Sequence, residues 1–169
     1  VTMNNINEQT IQQWGLSFSD TLSSILKSDI NLKDFKSEEI NYGTLIDNSN
    51  EGNWISVFQT EEQKPVITFI QNKSIIATTQ SMFLNKLTET IENKPQLSFT
   101  EKFVAEKITK EIEKAFKTKQ IDVEFIRNES KKQFLHPFLS DQMITTYIFD
   151  WHIGGTHYGD LSICHAHAL

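Results

Sequence analysis

Five histidines and one cysteine are the residues of this sequence best suited to metal or nucleophilic chemistry, and all but His136 fall between His152 and His167. His165 and His167 share a face of a regular strand, and His152 and His157 flank the turn before it, so two or three imidazoles could converge on a metal ion. There is no HExxH pair and no evident set of carboxylate ligands to complete such a site, and polar strand ends account for the cluster as it stands. Cys164 stands beside His165, but neighbours along a strand point to opposite faces, so thiol and imidazole do not form a nucleophile–base pair. The expectation for Cys164 is a small buried residue in a core strand.

Gly154-Gly155-Thr156-His157-Tyr158-Gly159 has the glycine spacing of a phosphate loop. Asp160 and Leu161 replace the Lys and Ser/Thr that such a loop needs, and a strand follows where a helix should, so these glycines are expected to supply turn dihedrals. Paired acids at Glu38-Glu39, Glu61-Glu62 and Glu111/Glu113 fall in loops or on the polar face of a helix, without the burial that tunes a carboxylate for proton transfer. The 169 residues carry a formal charge of −6. Lys and Glu alternate along the second long helix instead of forming a basic stripe, which argues against a broad grip on nucleic acid or anionic lipid. No window approaches the ~18 uninterrupted apolar residues of a membrane span. A lone cysteine excludes an internal disulfide and a CxxC zinc site, and a reducing, cytoplasmic setting is the simplest expectation. The residues thus point away from catalysis and from any cofactor.

The elements that must position these residues follow from periodicity. Ile11, Trp14, Phe18, Leu22, Ile25 and Leu26 predict a helix over Glu8 to Lys27, with Gly15 its weak point. A short strand, Ile30 to Phe35, is expected next, then a loop through Asn41-Tyr42-Gly43. Trp54 to Gln59 and Pro65 to Ile70 read as a hairpin joined by Glu61-Glu62-Gln63-Lys64. A helix is expected from Lys73 to Leu87, capped by Asn72. After a polar connection, Thr88 to Leu97, the order restarts. Ser98 and Glu101 make a capping box for a helix with Phe103, Val104, Ile108, Ile112, Ala115 and Phe116 on its inner side. Ile121, Val123 and Phe125 alternate as a strand, a loop spans Asn128 to Asp141, and strands Met143 to His152 and Asp160 to His167 flank a glycine turn. The second series matches the first but lacks its closing helix. Two like-built halves, about 8–87 and 98–169, predict one domain over 1–169 of mixed α/β class, a pseudo-twofold unit with a mainly antiparallel sheet flanked by long helices.

Several stretches carry a resemblance. Leu97-Ser98-Phe99-Thr100-Glu101-Lys102-Phe103-Val104 resembles "L-T-x-I-E-x-x-V", and Val123 to Ser130 followed by Gln133-Phe134-Leu135 resembles "V-E-F-E-F-V-R-S-E-x-N-P-Q-F-A". Ile148 through Gly154-Gly155 to Gly159-Asp160-Leu161-Ser162-Ile163-Cys164 is similar to "F-E-I-x-I-G-G-x-x-G-x-L-x-I-C-x-P". Phe18 to Leu26, Asn41-Tyr42-Gly43-Thr44-Leu45-Ile46 and Phe83-Leu84-Asn85-Lys86-Leu87 supply weaker matches earlier in the chain. These motifs belong, in this order, to the middle domain of the flagellar motor switch family FliM.

The resemblance implies a CheC-like fold and a non-catalytic subunit of the flagellar motor's cytoplasmic ring. It would sit peripheral to the inner membrane at the basal body and touch neighbouring copies and the rotor protein FliG. The family binds FliN and phosphorylated CheY through segments outside the matched region, so neither is expected to contact these residues. The family's FliG-binding loop carries Gly-Gly-x-Gly after the "V-D-R-L" helix. Here Glu89-Thr90-Ile91-Glu92 takes that place, without the glycines that permit close backbone approach. The implied partner contact is therefore Asn85, Lys86, Glu89, Thr90, Ile91 and Glu92. Two other readings share the fold. CheC/CheX phosphatases act through Glu-x-x-Asn on a long helix, whereas Glu38-Glu39-Ile40-Asn41 falls between the first strand and a loop. The related ring protein of virulence type III secretion would differ only in its partners.

Overall fold

The structure, a computed structural model, describes residues 6–49, 52–84, 87 and 90–167. The first apolar stripe forms α1 (Glu8–Leu26), with the Asn7 side chain accepting the Thr10 N–H at 2.9 Å. Ile11, Trp14, Phe18 and Leu22 are fully buried. A Cβ on Gly15 would lie 2.8 Å from the Phe149 ring. The weak helix former is thus the residue that lets α1 settle on the sheet.

β1 (Ile30–Asn41) runs 12 residues, well past the expected end at Phe35. A bulge between Lys33 and Lys36, with Asp34 at φ 53°, breaks the alternation by which the rest of the strand would have been read. The expected loop at Asn41-Tyr42-Gly43 is instead the start of a helix, α2 (Tyr42–Asn48). Tertiary contact holds it: the buried Tyr42 hydroxyl donates to the Leu135 carbonyl at 2.8 Å.

β2 (Asn53–Thr60) and β3 (Pro65–Gln71) form the first hairpin, and α3 (Asn72–Leu84) follows, with Leu87 outside it. Asn72 is the first residue of α3 and does not cap it. The Lys73 N–H goes to the Asn93 side chain at 2.8 Å, while the Asn72 amide donates to the Lys94 carbonyl at 2.7 Å.

α4 (Phe99–Thr118) opens with both bonds of the Ser98/Glu101 capping box. β4 (Val123–Glu129), a single 3-10 turn at Lys132–Phe134, β5 (Met143–Ile153) and β6 (Thr156–Ala166) complete the chain. β6 starts before the expected Asp160 because Gly159, at φ 77°, carries the strand across a place where a Cβ would meet the Ser74 hydroxyl at 2.7 Å.

The sheet order is β1-β5-β6-β3-β2-β4, with every pair antiparallel. Exchanging each strand for its counterpart in the other half (β1 with β4, β2 with β5, β3 with β6) reproduces the same order read backwards. The sheet therefore has a pseudo-twofold between β6 and β3. The long helices cover one face. There Trp14 of α1 stacks on Phe18 and on Phe116 of α4, each at 5.0 Å, and ties the two halves together. A smaller cluster, including Tyr42, Phe69, Phe138 and Ile144, lies on the opposite face under α2 and the loop before β5. Among the described residues, no helix is long and apolar enough to cross a membrane.

Candidate interaction surface

Nucleophilic chemistry is poorly served. Cys164 is fully buried, 3.5 Å from the Thr146 hydroxyl, and burial pushes its thiol up to about 12, so no thiolate forms at neutral pH. His165 faces the other side of the sheet, where its Nε2 meets the Tyr147 hydroxyl at 3.2 Å and its Nδ1 donates to the Ala166 carbonyl at 2.7 Å. Burial lowers its pKa and keeps the ring neutral. His167 pairs instead with Glu39 at 2.9 Å. His165 and His167 lie at one end of β6, and His157 at the other.

Glu38 and Asn41 both belong to β1. Three residues apart in a strand, they point to opposite faces, so they do not make the acid-plus-amide pair that a helix would present on one side. A cleft of ≈ 370 Å³ opens between the start of α4 and the end of β4, lined by Trp54, Asn72, Leu97, Lys102, Lys131 and neighbours. Among its described lining residues there is no acid, histidine or cysteine.

Two expectations for α4 need correction. Phe103 is 64% exposed and joins Phe99, 89% exposed, one turn before it. Residues four apart share a side of a helix, and this side lies about 100° from the buried Val104–Ile108–Ile112 stripe. Glu111 is 5% exposed instead of solvated, with Lys114 Nζ 3.4 Å from its carboxylate. Glu113 also has a structural task, accepting the Phe125 N–H of edge strand β4 at 2.7 Å. A third correction concerns the histidines near the second hairpin: Asp34, Asp150 and Asp160 gather around His152 and His157. The sequence separation of β1 from β5 and β6 had hidden Asp34, and the pairing of β5 with β6 is what brings Asp150 and Asp160 together.

The connector between α3 and α4 is the surface the sequence singled out. Of its six candidate residues, Asn85, Lys86 and Glu89 lie outside the described residues. Thr90 and Glu92 are exposed, and Ile91 is half-buried against the main core, as is Leu87. Asn93 then takes the Lys73 N–H and donates to the Gly52 carbonyl at 3.1 Å. The connector leaves the C-terminal end of α3 at Leu84 and is fastened at the N-terminal end of the same helix. Among its described residues, Ile91 is turned inward and Thr90 and Glu92 are turned out. Phe83 and Leu84, more than half exposed, stand where it begins, and Phe99 where α4 follows it. Exposed aromatic and apolar side chains bracketing an anchored polar strap suit protein docking better than turnover of a small substrate.

No protein-family model matches the chain, and no curated protein matches its sequence. Solved structures do. A CheC-like superfamily protein from Shewanella aligns over 94% of this chain and 98% of its own, at TM-score 0.50 and 11% identity. With the palindromic sheet and flanking helices, this defines a CheC-like α/β fold.

Within that class the likeness is greater to FliM. The FliM middle domain from Vibrio alginolyticus has TM-score 0.80 at 9% identity, over 93% of this chain and 90% of that one. A chain of the FliG–FliM complex from H. pylori has TM-score 0.76 at 13% identity, over 95% and 94%. The fold of this chain is that of a FliM middle domain.

Proposed function

We propose that this chain is a divergent FliM middle domain: one domain over 1–169 that serves as a non-catalytic subunit in the cytoplasmic ring of a flagellar motor. It docks on a FliG-like rotor protein and on neighbouring copies of itself, and is held at the membrane's inner face by those contacts. The observation that carries this reading is the match to FliM middle domains over at least 90% of both chains, with one match drawn from a FliG–FliM complex. Fold likeness alone does not fix function. The surface adds support: solvent-facing Phe99 and Phe103 and an anchored polar connector offer a partner something to grip. The placement of Glu38 and Asn41 in a strand weighs against a phosphatase.

On this reading the connector, from Asn85 and Lys86 through Glu89, Thr90, Ile91 and Glu92, meets the rotor protein. Its backbone approaches less closely than a glycine loop would allow, so acidic side chains carry more of the recognition. The test is a calorimetric titration of the chain with the FliG-like protein of the same cell. Binding is expected, and the Glu89→Lys/Glu92→Lys pair is expected to weaken it about tenfold or more, some 1.4 kcal/mol. Unchanged binding in that variant removes the connector from the interface. No binding by the wild-type chain removes the partner.

A further inference from the structure

Asp150 and His152 alternate along β5 with Phe149, Trp151 and Ile153, which belong to the core under the long helices. Strand alternation therefore places Asp150 and His152 on the face those helices leave uncovered. Across the second hairpin Asp160 pairs with Asp150 and His157 with His152, on either side of a register shift in the ladder. His157 Nε2 lies 3.0 Å from Asp160 Oδ1, 2.9 Å from the Gly159 carbonyl oxygen and 3.7 Å from Asp150 Oδ1. All three oxygens are acceptors, and a single N–H serves one of them well. The β1 bulge brings in a further carboxylate. Donor atoms of Asp34, Asp150 and His152 lie within 4.8 Å of one another, as do those of Asp150, His157 and Asp160. Among the described residues, no Lys or Arg forms an ion pair with these three acids, and the pairs of Asp150 and Asp160 are to His157.

His152 supplies an independent sign. Both of its ring nitrogens are buried and, among the described residues, neither has a hydrogen-bond partner. The ring stacks on His157 with centroids 5.4 Å apart and planes 15° from parallel. Buried polar atoms without partners are uncommon and call for an explanation. Here carboxylate oxygens of Asp34 and Asp150 lie within 4.8 Å of a His152 ring nitrogen without hydrogen-bonding to it, and ligands at about 2.0–2.2 Å from one ion sit roughly 3.4 Å apart in a tetrahedron.

We propose that this corner binds a divalent transition-metal ion of the zinc type, seated on Asp150, His157 and Asp160, with His152 and Asp34 as further ligands beside Asp150. Mixed imidazole and carboxylate donors suit Zn2+ and its neighbours, whereas Mg2+ and Ca2+ prefer oxygen alone. The ion takes the place of the His157 Nε2 proton, gives the converging oxygens a cation and ties β1, β5 and β6 together. The site does not depend on the docking surface or on the partner reading.

The test is titration of the chelator-treated full chain with ZnCl2 in a non-coordinating buffer, repeated with CoCl2 and read by visible absorption. About one ion per chain, a cobalt ligand-field spectrum and a zinc-induced rise in Tm are expected, with no competition from millimolar Mg2+. Asp150→Asn and His157→Gln are each expected to weaken binding about tenfold or more, while His136→Gln leaves it unchanged. Circular dichroism checks that each variant folds, and the half-exposed His157 provides the variant least able to disturb the fold. Absence of binding in the wild type overturns the proposal, as does equal affinity in wild type and His157→Gln, or an equal loss in His136→Gln.

Discussion

The β2–β3 and β5–β6 hairpins occupy equivalent places about the pseudo-twofold, alike on the face beneath the helices and unlike on the other. Phe58 stands two residues before the end of β2, and Trp151 two before the end of β5. Both are fully buried. Phe58 meets Phe116 of α4 edge-on at 5.6 Å, and Trp151 meets Phe18 of α1 edge-on at 6.2 Å. Beside them the first hairpin carries Val57 and Gln59 where the second carries Asp150 and His152. Close packing against a helix demands a large aromatic at both inner positions. The outer face makes no such demand, and there the two halves part: the strands of one hairpin are uncharged, and those of the other gather acids and imidazoles.

The sharpest way to break the likeness is at the point where the halves meet. Trp14→Ala removes the ring shared by Phe18 and Phe116 and is expected to cost about 3–5 kcal/mol, read from urea unfolding. The transition should stay single. A loss well below this, or two separate transitions, means that the halves fold independently. Gly15→Ala comes next, since its methyl must displace the Phe149 ring 2.8 Å away, and about 1–3 kcal/mol is expected. Gly154→Ala, at φ 57° with nothing within 4 Å, meets only backbone strain of about 1–2 kcal/mol. A negligible cost at Gly15 would show that the approach of α1 to the sheet is not tight.

Smaller effects should appear with pH, and of the two hairpins only the second should contribute to them, since β2 and β3 contain no titratable side chain. Burial lowers the pKa of His165 from 6.5. The unfolded chain takes up a proton that the folded one refuses, so stability is complete above pH 6.5 and falls as pH drops toward the folded value. His165→Gln should flatten that slope in Tm measurements. On the alkaline side, Cys164 is raised from 9.0 to about 12. The unfolded thiol ionises first, so stability is complete below pH 9 and is lost as pH rises toward 12. Cys164→Ala should remove part of this fall, and the remainder belongs to Tyr147, raised by burial to about 12, and to Tyr42, which burial raises further still.

What could be read along the chain was whatever a local period encodes. α1, α4 and the first hairpin were legible because helical stripes and compact β-branched runs mark them, and Ser98 and Glu101 announce a helix start by themselves. The second hairpin was legible only in part, since β6 starts at Thr156 and the ladder shifts register between Asp150 and His152. The rest depends on partners distant in sequence. The bulge at Asp34 disguised half of β1, and Tyr42 is helical because of its bond to Leu135. The cap of α3 arrives from Asn93, 20 residues downstream of Lys73. Phe103 lies one residue from a buried stripe, which a helix turns into a different face. The carboxylates around His152 and His157 come from three strands whose register no local pattern reports. The order of motifs is what singled out the candidate docking residues, and the seating of Ile91 against the core emerged only with the fold.

On the proposed function, this body docks partners and turns nothing over. The direct measurement is the decay of the source cell's phosphorylated CheY-type response regulator, followed with and without a stoichiometric amount of the chain. The decay rate is predicted to be the same in both. An acceleration that disappears in a Glu38→Gln/Asn41→Ala variant would contradict the claim and make the chain a phosphatase.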